Sequence, residues 1–230
     1  MPALRADLHM HSTHSDGLDP VEKMIMSAID KGLQAISITD HDTFEGSKAA
    51  AEFIKNKGLD IILIYGNEVR ARYYGKYMDI LILCPSLPPS PPPKDALRLY
   101  DWAEKWGCLY IPAHPYDERR YGCGESIYDL EMHAIEAWNA RAPKKINERA
   151  VEVAKILRKP MLANSDAHDA EMVASAHSII EAEPIPEEIL DAIVKGRVKM
   201  VRGHISPKSY AKYVGRKLAR RSVKHLFLKE

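Results

Sequence analysis

Five times in 230 residues, a short apolar run ends in histidine, aspartate or glutamate before the chain turns into an amphipathic stretch. The runs cover residues 3–6, 35–39, 61–65, 108–111 and 160–164. They deliver, in turn, Asp7-Leu8-His9-Met10-His11, Asp40-His41-Asp42, Gly66-Asn67-Glu68, Pro112-Ala113-His114-Pro115 and Ser165-Asp166-Ala167-His168. Alternation of strand and helix predicts parallel strands joined by right-handed crossovers, an α/β fold. An open sheet would scatter the polar endings along its edge. A closed ring gathers the ends of first, middle and last strands at one centre, so the pattern predicts a (β/α) barrel with its site at the C-terminal face of the strands.

The stretches between the runs fit that rhythm. In residues 20–31, Val21, Met24, Ile25, Ala28 and Ile29 recur at helical spacing, with Asp19-Pro20 as cap and first turn and Gly32 behind. Further helices are predicted over residues 44–57, 95–106, 144–158 and 186–194, and strands over 78–83, 134–138 and 178–180. The proline-rich residues 85–93 cannot supply ladder donors and read as a stiff surface loop. Residues 116–125, polar and aromatic, read as an active-site loop.

Residues two apart on a strand share a face, so His9 and His11 are expected to project together, as are Asp166 and His168. His41 lies between two aspartates that can fix its tautomer. Pro115 is expected to hold His114 extended. Glu68, at the end of a strongly apolar strand, is costly unless paired, and bridging two cations would pair it. Each group alone reads equally well as a surface or turn residue. Together they form an imidazole and carboxylate set, without paired cysteines, suited to zinc, manganese or iron in hydrolysis. Arg70 and Arg72, Arg119 and Arg120, and Arg141 after Asn139 all follow strand ends, where guanidinium forks suit a phosphate.

The order His9-x-His11 with Asp16, Thr39-Asp40-His41, Gly66-x-Glu68, Ala113-His114-Pro115 and Ser165-Asp166-Ala167-His168 resembles the PHP superfamily, named for polymerase and histidinol phosphatase. The resemblance spans residues 4–204. It implies a distorted seven-stranded (β/α) barrel that binds two or three divalent metals and hydrolyses phosphate esters with a metal-bridging hydroxide. It further implies that His9, His11, Glu68 and Asp166 hold one metal and that Glu68 bridges to a second, shared with His114. Asp16, His41 and His168 would hold a third and serve the leaving oxygen. One position departs from the family: where a histidine is usual, Asp79 stands, and its harder oxygen would favour manganese or iron over zinc. The expected substrate is a small phosphomonoester or nucleotide. The alternatives are a nuclease or exonuclease, and a non-catalytic RNA- or protein-binding relative.

Length and balanced charge fit one large domain, expected over residues 1–206, with residues 207–230 as a basic helical tail. The tail carries eight Lys or Arg against one Glu, which leaves the body acidic although the whole chain is at +1. Tyr210, Tyr213, Val214 and Leu218 lie on a helical repeat within it, among Lys208, Lys212, Arg216, Lys217, Arg220 and Arg221. The favoured reading packs that apolar stripe on the barrel; the other binds nucleic acid through the cations. Cys84, Cys108 and Cys123 are an odd number without zinc-ribbon spacing and are expected to be reduced. With no apolar run of about 18 residues and no leader pattern, a cytoplasmic location without membrane contact is expected. A single glutamine amid abundant Lys and Glu leans toward a heat-adapted source.

Overall fold

The computed structural model describes residues 1–227, with side chains through Arg220. In chain order the elements are β1 (Ala3–Asp7), α1 (Val21–Asp30), β2 (Ala35–Ile38), α2 (Glu45–Lys57), β3 (Ile62–Tyr73), β4 (Lys76–Cys84), α3 (Ala96–Lys105) and β5 (Leu109–Pro112). They continue with β6 (Ile135–Asn139), α4 (Lys144–Ile156), β7 (Met161–Asn164), β8 (His177–Glu181), α5 (Pro186–Val194), β9 (Val198–Val201) and α6 (Pro207–Phe227). None of the described helices is long and apolar enough to cross a membrane.

The strands form a curled mixed sheet in the order β5-β4-β3-β2-β1-β8-β9, with a separate parallel ribbon of β6 and β7 closing part of the gap between its edges. This is the distorted barrel expected. β2 and β5 are buried along their whole length, consistent with strands covered on both faces. Met24, Ile25 and Ala28 of α1 pack with Ile36 and Ile38 of β2 in one core cluster, while Leu99 and Ala103 of α3 pack with Ile80 and Ile82 of β4 in another.

Strict parallelism fails at the third strand. The stretch expected to stop at Tyr65 runs on to Tyr73, turns at Tyr74 and Gly75, and returns as β4 antiparallel to itself. The two polar arginines hid this extension, because Arg70 and Arg72 interrupt the apolar pattern. β5 is antiparallel to β4, and β8 and β9 add an antiparallel pair beyond β1, with β9 unanticipated.

The antiparallel register corrects the cysteine reading. Leu83 lies opposite Leu109, which carries Cys84 opposite Cys108, and the two form a disulfide; Cys123 is free and buried. Parallel strands would have kept these thiols apart. Asp19 does not cap α1 either: its carboxylate accepts from Ala170 N–H at 3.0 Å and from Arg216 and Lys23 at 2.6 and 2.9 Å.

The tail helix lies on the barrel through both kinds of contact. Of the apolar stripe, Tyr213 is buried in a core cluster while Tyr210, Val214 and Leu218 stay exposed. Among the cations, Lys212 pairs with Glu171, Arg216 with Asp19 and Lys217 with Asp16. The side chain of Arg221 and residues 228–230, part of the expected basic tail, lie outside the described residues.

Candidate metal centre

Just past β1 the backbone stays extended through the bridge of Met10 to Ala167, and His9 and His11 point the same way, with their Nε2 atoms 3.1 Å apart. The parallel bridge of His41 to Glu68 sets the Glu68 side chain among them. Glu68 Oε2 lies 3.2 Å from His9 Nε2, 3.0 Å from His11 Nε2 and 3.3 Å from His41 Nδ1, while Oε1 lies 3.1 Å from His114 Nε2. Asp166 Oδ1 is 3.7 and 3.5 Å from His9 and His11, and 3.4 Å from His168 Nδ1. Asp16 Oδ1 approaches His168 Nε2 at 3.0 Å and His41 Nε2 at 3.8 Å.

Two of these residues sit on strained backbone. Asp166 has φ 51° and His114 φ 29°, conformations that non-glycine residues adopt sparingly. His114 is therefore not extended as expected from Pro115. Its carbonyl accepts from Asp117 N–H at 2.8 Å, and its N–H donates to Glu136 Oε2 at 2.8 Å, so a tight turn overrides the local preference. Gly17 closes the loop that carries Asp16, since a Cβ there would meet His11 O at 2.4 Å.

Glu136, on β6, is a functional residue that the sequence reading missed. Its Oε1 accepts from His9 Nδ1 at 2.8 Å, and Asn139 and Asn164 donate to its two oxygens at 3.0 Å. A lone carboxylate in the apolar run Ala134-Ile135-Glu136-Ala137-Trp138 was the available signal, by the same burial argument applied to Glu68. With Nδ1 donating to Glu136, neutral His9 presents a lone pair at Nε2 to Glu68, Asp166 and His11. Burial disfavours the imidazolium, yet Glu136, Glu68 and Asp166 outweigh it and hold His9 well above its ordinary value. These carboxylates call for positive charge at Nε2, carried by a proton or a metal.

The donor set fits a divalent cation. Ligands at about 2.1 Å from an ion stand about 3 Å apart at right angles, close to the spacings among His9, His11 and Glu68. The donor atoms of four groups lie within 4.8 Å of one another: His9, His11 and Glu68; His9, His114 and Asp166; His41, Glu68 and Asp79; and His11, Asp16, His41 and His168. His168 is lowered to about 3 by burial, Arg141 and His11, which leaves it a neutral donor.

A cavity of about 190 Å³ opens over the cluster, lined also by Arg70, Arg119, Arg120 and Arg141. Arg120 and Arg141 both pair with Asp166, and with His9 they hold its carboxyl well below the ordinary range against the opposing effect of burial. Arg70 donates to both oxygens of Asp79 at 2.8 and 2.9 Å and lies 3.6 Å from the Tyr121 ring centre. Arg72 does not reach this cavity, because β3 carries it past the rim toward the hairpin tip, where its N–H donates to Lys94 O. Asn139 is fully buried, with Nδ2 donating to Glu136 and Asp166 and Oδ1 accepting from Arg141 N–H, so it braces the site.

Comparison with known proteins finds two family models that match parts of the chain. Residues 7–105 match the PHP domain and residues 145–198 the PHP-associated region. An uncharacterized protein of Methanocaldococcus jannaschii is 26% identical over 148 residues, which is 60% of this chain and 82% of that protein. The 5'-3' exoribonuclease Rnm of Salmonella typhimurium is 43% identical over 63 residues, 27% of this chain and only 22% of the enzyme. Among solved structures, a two-domain protein from Bacteroides vulgatus containing a predicted PHP-like metal-dependent phosphoesterase superposes with a TM-score of 0.72 at 22% identity, over 88% of this chain and 65% of the other.

Proposed function

The chain belongs to the PHP superfamily, and from that membership we propose that it is a metal-dependent phosphoesterase hydrolysing a small phosphomonoester or nucleotide. The observation that carries the reading is the convergence of His9, His11 and His114 on Glu68 at 3.0–3.2 Å beneath an arginine-lined cavity. His9, His11, Glu68 and Asp166 would hold one ion, Glu68 with His114 a second, and Asp16, His41 and His168 a third, with manganese, iron or zinc as the metal. Bound cations would supply the charge that acidifies water and neutralises a phosphoryl group.

The protein's own residues do the rest. Arg70 is steadied by Asp79 and Tyr121 with its guanidinium beside the cavity, and Arg119 and Arg120 line the same cavity. These forks orient an entering phosphate. Asp16 and His41, partly exposed, lie beside the buried His168, where a third cation or the His41 imidazole would serve the leaving oxygen. A cavity of about 190 Å³ favours a compact phosphate ester over an extended strand.

The nuclease alternative has the exoribonuclease match in its favour, but three of the α6 cations that motivated it from sequence, Lys212, Arg216 and Lys217, pair with Glu171, Asp19 and Asp16 of the body. A phosphate-release screen over nucleotides, sugar phosphates and oligonucleotides separates the two. We expect turnover on small esters, silenced by chelator, restored by manganese, and abolished in His9→Ala and Asp166→Ala with the fold retained. Wild-type turnover in either variant, or in metal-free protein, refutes the assignment.

A further inference from the structure

Asp16 is the most exposed of the candidate ligands and rides on the irregular loop after β1. The barrel holds that loop through Leu18 N–H on His168 O at 2.7 Å and Ser15 Oγ–H on Asp40 Oδ1 at 2.6 Å, and one face of α6 holds it from outside. Tyr213, Arg216, Lys217 and Arg220 recur at helical spacing and all turn toward the rim. Lys217 Nζ lies 3.4 Å from Asp16 Oδ2 and 2.8 Å from Tyr213 Oη. Arg216 grips both oxygens of Asp19 at 2.6 and 3.1 Å, and Arg220 donates to Gly17 O at 2.8 Å. The buried Tyr213 ring stands edge-on to His168, with centroids 6.0 Å apart.

These contacts divide the labour at Asp16. Oδ2 is taken by the ammonium, while Oδ1 is left facing His168 and His41. Outer-shell bonds of this kind fix which oxygen a ligating carboxylate presents and spare the ordering cost of a mobile loop. Lys217 does not line the cavity, so it acts on the site only through Asp16. Resting on the cation reading above, we infer that α6 is a positioning element of the rim, with Lys217 fixing Asp16 and Tyr213 fixing His168, so that the cation site of His11, Asp16, His41 and His168 is complete only with the helix docked.

The test is manganese binding by the full-length chain, followed by equilibrium dialysis and atomic emission, for wild type, Lys217→Ala, Lys217→Arg and the double variant Arg216→Ala, Arg220→Ala. Circular dichroism verifies that each is folded. We expect one ion to bind about 10- to 100-fold more weakly in Lys217→Ala and in the double variant. The arginine variant should recover most of that loss, and the ion held by His9, His11, Glu68 and Asp166 should keep its affinity. Wild-type binding in every variant, equal loss of all ions, or an arginine variant as weak as alanine overturns the inference. A wild-type protein that takes up no manganese fails differently, because the cation reading then falls first and the inference with it.

Discussion

Glu136 directs the ring of His9 without facing the cavity, and its replacement isolates that contribution. In Glu136→Gln an amide donor meets the N–H groups of His9, His114 or Asn139, and at least one acceptor is lost. Manganese affinity should fall about 10- to 100-fold in a competition titration with chelator, with far-UV circular dichroism unchanged. Unaltered affinity would mean that packing alone orients His9. Asp79 presents the opposite problem, a candidate ligand whose oxygens are both committed to Arg70. Asp79→His frees the guanidinium and offers a softer donor, so metal preference should move toward zinc; a constant preference would place Asp79 outside the coordination sphere. Most of the cluster was legible as strand-ending His, Asp and Glu. Glu136 was not, because it stands inside a strand, and the positions of Arg72 past the rim and of Asn139 among buried partners were hidden because sequence shows which residues follow a strand but not where that strand stops or which amides are already satisfied.

At the scale of elements, helices were the easier reading, since amphipathic spacing marks α1 to α5 within a few residues. The β3 and β4 hairpin escaped because its polar end imitates a loop. The ion pairs that help dock α6 escaped because hydropathy tracks its tyrosines and not the acids of the facing loop. That docking has a pH signature. Burial raises Asp19, but Arg216, the Ala170 amide and Lys23 prevail and hold its carboxyl well below the ordinary range. A carboxyl lowered by folding stabilises the native state above its unfolded value of about 3.9, and the contribution drains away as pH falls through the lower folded value. Arg216→Ala should therefore cost about 1 kcal/mol at neutral pH, a figure discounted because the guanidinium is a third exposed. Urea unfolding from pH 7 to pH 3 should show the gap between wild type and variant holding steady to about pH 5 and narrowing below about pH 4. A gap that widens in acid would show that Asp19 is not the partner that matters.

The whole molecule is a curled sheet whose site gathers residues from both ends of the chain, which is why the barrel could be argued from the spacing of polar endings alone. Strand direction could not, and the disulfide went with it. Cys84 and Cys108 tie β4 to β5, which forms an edge of the large sheet, at a separation of 24 positions in sequence. Closing a loop of that length removes roughly 3 kcal/mol worth of unfolded-state freedom. Such a bridge is at home in an oxidising compartment or in a heat-adapted cell, and the second setting agrees with the composition. Asp79 marks the rim end of β4 and Cys84 lies five residues further along it, about 17 Å away at the rise of a strand. Reduction should therefore separate stability from metal binding. With dithiothreitol, or in the double variant Cys84→Ser, Cys108→Ser, the melting temperature is expected to drop by about 6 to 12 °C. Manganese affinity at 25 °C should stay at its oxidised value, since the donors lie at the rim, where β5 ends, and the disulfide lies where β5 begins. A loss of affinity in step with melting temperature would mean that edge and rim move as one body, and that the barrel holds its cations through global rigidity instead of local bracing.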